Sequence, residues 1–338
     1  MNLRKRGGAW LYDERILLGE QFNFGHREIL LACNKLDPTS LIRASIPHGW
    51  GEGTNSHDYP RYYRKFGKVY PLLSWSDRAT ESYKSKGHRN VLTTGSPWAH
   101  LLNATNQNNV SRQKRFEKKV LYFPSHSIPG GTVDHYQNKL FLQNLSKLGD
   151  VTVCLFWLDF VDPITLSFFK KFGFDVKCVG YKGSAGFDSP WTPVGGRVSF
   201  LTNLLDLLNC ADLIVLDSVS TTFWYALSLK KTVLLSTDLG ESTWWGGSSP
   251  INILNSNRQI LRKVDDSLIE LALDRPIEIS NDLYMFALQE IGYGQINNFK
   301  EFIHNSKALR RNIIDSSILA PITDYLNKNS VLNDNSAT

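Results

Sequence analysis

Cysteine is scarce. The 338 residues hold four, at positions 33, 154, 178 and 210, and none forms a Cys-x-x-Cys pair. That argues against a disulfide framework; three of the four stand beside apolar residues, as reduced packing cysteines do in a cytosolic protein. Long apolar runs are also lacking. The strongest, Val151 to Val161, is short and contains Asp159, whereas a membrane-spanning helix needs about 20 apolar residues. The basic start, Met1 to Gly8, is followed by Asp13, Glu14, Arg15 and Glu20, so no secretory leader is expected. HExxH, Walker A and GxGxxG motifs and 20–50-residue repeats are all missing. Asp159 and Asp162 are not spaced as a metal site. Neither a metal nor a resident cofactor is expected.

What is present is a globular composition. Apolar residues make up 42% and charged residues 21%, with 9 Trp, 13 Tyr and 18 Phe. Such a chain can bury a substantial core, which excludes a disordered, collagenous or coiled-coil protein. At about 150 residues per domain its length suggests two domains. Charge is unevenly shared. Residues 1–150 carry 22 Lys and Arg against 12 Asp and Glu, net +10; residues 151–338 carry 16 against 20, net −4. Two halves of opposite sign suggest different partners. No aromatic-basic recognition motif accompanies the basic half, so nucleic acid is not expected as a partner.

Helix and strand signals alternate throughout. In the first half the expected elements are a helix over Asp13–Leu36, strands at Leu41–Ile46, Val69–Trp75 and Asn90–Thr94, and helices at Asp77–Lys86 and from Trp98. An Asn-, Gln- and charge-rich stretch, Asn103–Lys119, reads as a linker. Strands then follow at Lys119–Phe123, Val151–Trp157, Asp175–Val179, Leu213–Leu216 and Thr232–Leu235. Helices are expected at Asp134–Leu148, Pro163–Phe172, Phe200–Leu208, Thr221–Leu229, Asp265–Arg275 and Asp282–Ile291. This pattern predicts an α/β protein of two doubly wound, Rossmann-like domains facing a cleft. Their bounds are 1–115 and 116–326, with a frayed tail at 327–338. Ligands of such sheets lie beyond the carboxyl ends of strands, so residues at strand ends carry the functional reading.

The most informative stretch runs from Cys210 to Leu235. A buried strand ends at Asp217, Ser218, Ser220, Thr221 and Thr222 crowd the turn, and a helix follows. Hydroxyls there would cap the helix. The same free N–H groups and positive dipole end can instead hold a phosphate. The loop after Val120–Phe123 contains Ser125, His126, Gly130 and Gly131, where His126 could donate to a phosphate or ribose. In the first half, Pro47-His48-Gly49-Trp50-Gly51-Glu52-Gly53 follows a strand. His48, with Glu52 second, is the candidate base for an acceptor hydroxyl. Leu92–Trp98 is expected to line the same cleft, and Glu241 to meet a sugar or ribose hydroxyl beside a Trp244–Ser248 loop. Each feature has a bland counterpart: a capped helix, a surface histidine, a pliable glycine loop.

Taken in order, the His48-Gly49 pair, Leu73–Ser76, Asn90–Pro97, the Pro124-Ser125 loop and Ala211–Leu235 resemble the glycosyltransferase-B superfamily. The nearest flavour is the bacterial surface and capsular polysaccharide enzymes, including the CDP-glycerol glycerophosphotransferase-like group. The resemblance spans roughly residues 40–240. It implies a transferase that takes a nucleotide-activated sugar in its C-terminal domain. A glycan or lipid-linked acceptor would enter from the N-terminal one, with His48 as base and Ser218, Ser220, Thr221 and Thr222 on the donor phosphates. The cysteines and the basic first half add the expectation of a cytoplasmic place, peripheral to the inner membrane. Basic loops around Arg61, Arg64 and Lys65 would face an anionic membrane or a charged acceptor. Two departures bear on the chemistry. Gly-Trp-Gly-Glu replaces the group's Thr-Pro after His-Gly, and Trp157–Pro163 lacks its His-Pro. Both turn the expectation from polyol-phosphate to sugar transfer. A nucleotide-sugar epimerase or a polyol-phosphate transferase on the same fold, and a non-catalytic subunit of a polysaccharide assembly, are the other readings.

Overall fold

The computed structural model describes residues 23–37, 40–47, 49–50, 70–105, 119–126, 133–148, 150–180, 200–236, 279–305, 309–311 and 325–327. Within these, the first half comprises α1 (His26–Cys33), β1 (Ser40–Ile42), β2 (Leu72–Ser74), α2 (Asp77–Ser85), β3 (Val91–Thr93) and α3 (Pro97–Ala104). The second half comprises β4 (Lys119–Phe123), α4 (Lys139–Leu145), β5 (Asp150–Cys154), α5 (Trp157–Val161), α6 (Pro163–Lys170) and β6 (Asp175–Lys177). It continues with α7 (Phe200–Cys210), β7 (Leu213–Leu216), α8 (Thr221–Ser228) and β8 (Thr232–Leu235). The last elements are α9 (Asn281–Glu290), α10 (Ile296–Asn305) and β9 (Leu309–Arg311). The expected helix at Asp265–Arg275 and most of the proposed linker lie outside the described residues.

The fold is mixed α/β with parallel sheets. In the second half five parallel strands lie in the order β6-β5-β4-β7-β8. β7 and β8 are buried along their whole lengths, which is why their sequences are unbroken apolar runs rather than alternations. Side chains still alternate between faces. Leu121, Ile214, Leu216, Val233 and Leu235 point toward α7 and α8. Val120, Tyr122, Val153, Leu213, Val215 and Leu234 share a second core with Leu142 and Phe169 of α4 and α6. The chain builds outward from β4 through β5 to β6, then returns to lay β7 and β8 on β4's other side. The switch point between β4 and β7 opens a crevice at their carboxyl ends.

The first half is smaller among the described residues. β2 and β3 pair in parallel, and Ser45 bridges to Leu72. The expected strand at Leu41–Ile46 is divided: its front, β1, pairs antiparallel with β9 from the far end of the chain. Its apolar core joins Leu30, Leu31, Ile42, Ala44, Ile46 and Leu73 to Phe299 of α10. The chain end therefore returns to the first half. Gly292 makes that return in a left-handed conformation, φ +71°, which suits glycine. Here the Ser96 amide donates to the Ile291 carbonyl at 2.9 Å, and Asn298 donates to the Thr93 carbonyl at 2.9 Å. The halves also share an apolar core on the α7–α8 side. Trp98 of α3 stacks on Tyr225 of α8 at 4.3 Å, its indole N–H donating to the Ser228 hydroxyl.

Candidate active site

A cavity of about 650 Å³ occupies the crevice at the switch point. This is ordinary for a small-molecule site. The second half lines it with the ends of β4, β5 and β7, the stretch Val179–Gly180, and the first turns of α7 and α8. The first half closes it with Phe24, His26, Gly49 and Trp50.

Asp217, at the end of β7, is 6% exposed. One carboxylate oxygen accepts from the Tyr122 phenol at 2.7 Å and the Ser236 hydroxyl at 2.6 Å; the other accepts from the Ser125 amide at 2.6 Å. A carboxylate can accept several such bonds. These join β4, its following loop, β7 and the end of β8 across the switch point. Burial first, then the neighbouring Asp217 charge, pushes the Tyr122 phenol well above its usual range. The sequence counts Asp217 among the expected donor-binding residues; it lines the cavity, and its oxygens tie the crevice floor together.

The turn after Asp217 brings its hydroxyls to the cavity wall. Ser218, Ser220, Thr221 and Thr222 all line it. Capping by these hydroxyls was the plain expectation. Ser76, Ser96 and Ser280 do cap α2, α3 and α9, accepting from amides three residues on. Ser220, at the same position of α8, makes no side-chain cap. The amino end of α8 thus presents backbone N–H groups and the positive end of its dipole to the cavity. Ser125 and His126 approach from the loop after β4, the His126 ring lying 4.4 Å from that of Phe156.

Among the wall residues that sequence reasoning does not reach is a buried histidine. His26 is 1% exposed yet lines the cavity. Two successive left-handed residues, Phe24 at φ 55° and Gly25 at φ 68°, place it as the first residue of α1. Its ring meets that of Trp75 edge-on at 6.1 Å. A non-glycine residue held left-handed costs about 1–2 kcal/mol, and such strain clusters at functional sites. The signal was the Phe24-Gly25-His26 sequence, submerged in the apolar spacing of a longer helix.

The Leu92–Trp98 segment does not line the cavity. The return of the chain through Gly292 covers it. A methyl built on Gly95 would stand 2.8 Å from the Gly292 carbonyl oxygen. The Thr94 carbonyl lies 3.0 Å from His100 Nε2, and Ser96 caps α3. Its role is to seat α9 and α10. His48, Glu52, Glu241, the Trp244–Ser248 loop, Arg61, Arg64 and Lys65 lie outside the described residues. Asp162 caps α6, and its bonds to Thr165 hold the carboxyl below its usual range. Among the described residues no three His, Cys, Asp or Glu side chains gather as a metal site. Among them, too, no helix is long and apolar enough to cross a membrane.

No family model matches the chain, and no curated protein matches it. Among solved structures, it is similar to the wall teichoic acid polymerase TagF at 13% identity. That alignment covers 82% of this chain and 62% of that one, with a TM-score of 0.31. A variant of the same polymerase aligns at 13% identity over 87% and 67% of the two chains, with a TM-score of 0.28. The glycotransferase of kitacinnamycin aligns at 12% over 84% and 66%, with a TM-score of 0.27. The chain thus spans 62% of the length of the first of these structures. The Rossmann-like character of the second half stands on its own strand order, β6-β5-β4-β7-β8.

Proposed function

We propose that this chain is a nucleotide-sugar-dependent glycosyltransferase that acts in surface polysaccharide synthesis. The observation that carries the reading is the amino end of α8: no side chain caps it, and it opens into the cavity at the β4–β7 switch point. In the proposal the donor's diphosphate lies on the Ser218–Thr222 turn. A glycan or lipid-linked acceptor enters from the first-half side, and His48 takes the proton of its hydroxyl. The acceptor oxygen bonds to the anomeric carbon. The bond from that carbon to the phosphate oxygen breaks, and its electron pair leaves with the nucleoside diphosphate. The negative charge gained there is met by the amides and hydroxyls of the α8 turn and by His126. Asp217 holds the β4 loop and the β7 turn in register for that contact. His26 adds an imidazole to the first-half wall.

The test begins with thermal-shift binding of UDP-, GDP-, CDP-, CMP- and dTDP-linked sugars. A ligand that binds only the folded state raises its apparent stability. One donor class should shift the midpoint, and His48→Ala should keep that shift while losing transfer to acceptor. No shift with any donor overturns the reading in favour of a non-catalytic subunit. Product formed from the donor alone, without acceptor, overturns it in favour of an epimerase.

A further inference from the structure

The donor turn of the second half is completed by the first half. The Trp50 backbone N–H donates to the Thr221 hydroxyl at 2.8 Å, across 171 residues of chain. A backbone amide can only donate, so this bond occupies a lone pair of the Thr221 oxygen and leaves the hydroxyl proton to be given elsewhere. Among the described residues no acceptor takes that proton, and Thr221 lines the cavity. The approach is close: a methyl on Gly49 would stand 3.3 Å from the Thr221 oxygen.

Trp50 is itself fixed from several sides. Its indole N–H donates to Glu290 at 2.6 Å, its ring packs on Trp224 at 5.1 Å, and the Arg78 guanidinium lies over it at 5.6 Å. Glu290 is 2% exposed, and both of its oxygens take bonds from Arg78. A carboxylate buried this deeply is retained only with such pairing. α2, α8 and α9 therefore converge on Trp50, whose backbone N–H meets the Thr221 hydroxyl.

We propose that Glu290, through Trp50, orients the Thr221 hydroxyl as a donor to a phosphate oxygen of the nucleotide. Glu290 and Trp50 are positioning residues, and Thr221 is the group that touches the ligand. The inference rests on the reading of the turn as a diphosphate site. It adds that the site is assembled only when both halves and α9 are in place.

The experiment measures the affinity of wild type and variants for UDP, CDP, GDP and dTDP by titration calorimetry. Thr221→Val should weaken the preferred nucleotide about ten- to a hundred-fold, the range for losing a bond to a charged group. Thr221→Ser should restore it to within about threefold. Glu290→Gln and Trp50→Phe, which leave Thr221 in place, should each weaken binding several-fold. Combined with Thr221→Val, neither should cost anything further, because residues acting through one group are not additive. A purely structural role for Glu290 would lower stability and add to the Thr221→Val loss. Additive losses, or Glu290→Gln and Trp50→Phe both binding like wild type, overturn the relay and leave the diphosphate reading standing. Wild type that binds none of the four nucleotides overturns both.

Discussion

The return of the chain through Gly292 lends itself to a graded test, because three glycines differ in one physical respect at a time. Gly294 is not left-handed, and a methyl there would meet nothing within 4 Å. Gly87 has φ +89° and equally open space. Gly292 has φ +71°, and a methyl there would overlap the Trp75 carbonyl oxygen and lie 2.8 Å from the Gly95 Cα. Gly294→Ala should be neutral or stabilise by up to about 1 kcal/mol through the unfolded chain. Gly87→Ala should cost about 1–2 kcal/mol, the left-handed penalty alone. Gly292→Ala carries that penalty plus overpacking of about 1–3 kcal/mol. Its obstacles are backbone atoms on both sides and cannot rotate away, so the total is about 2–5 kcal/mol. Urea unfolding followed by circular dichroism reads the series, with shifts in midpoint at constant m reporting stability. Gly292→Ala within about 0.5 kcal/mol of wild type, the ordinary scatter of harmless substitutions, would refute the reasoning. So would Gly87→Ala costing more than Gly292→Ala.

Two further predictions concern buried polar groups. His100 accepts at Nδ1 from Asn34 at 3.1 Å and donates from Nε2 to the Thr94 carbonyl at 3.0 Å; Asn34 is oriented by its own bond to the Leu30 carbonyl. Only the neutral Nε2–H tautomer satisfies both, and burial lowers its pKa from 6.5 to about 4. The unfolded chain thus binds more protons between those values. The His100 contribution is whole above pH 6.5 and declines as pH falls toward 4, by about 3 kcal/mol in all. In His100→Asn the difference in unfolding free energy between pH 7 and pH 4.5 should shrink accordingly; an unchanged difference would sink the assignment. Asp217→Ala strands the Tyr122, Ser125 and Ser236 donors and should cost about 3 kcal/mol or more. Asp217→Asn should cost less, since both hydroxyls can turn and accept. Equal losses in the two variants would mean that Asp217 is not the tie described.

The second half was legible in the sequence because its signals are local. Leu213–Leu216 and Thr232–Leu235 are unbroken apolar runs between helical patterns, and a strand covered on both faces requires that composition. The Ser- and Thr-rich turn at Ser218–Thr222, between a buried strand and a helix, marks a strand end where a ligand can lie. The cavity lies at that end. Periodicity misjudged the start of α1, since apolar spacing runs through Phe24 and Gly25 without registering their left-handed turn. It also assigned the Leu92–Trp98 segment to the cleft, because a strand end looks alike whether a ligand or a returning helix covers it.

Tertiary structure decided what joins distant stretches. Thr221 meets Trp50 across 171 residues, and Trp50 meets Glu290 across 240. Nothing local to Glu290 distinguishes it from a solvated carboxylate ending a helix, and only the approach of Arg78 and Trp50 buries and pairs it. Asp217 has the same history: its position at a strand end is written in the chain, but its three donors come from β4, the loop beyond it and the residue after β8. Composition and periodicity set which segments become strands and helices and which faces they bury. Which polar groups find partners depends on contacts closed between segments far apart in sequence, and these exist only once the sheet, α8 and the returning α9 and α10 have packed together.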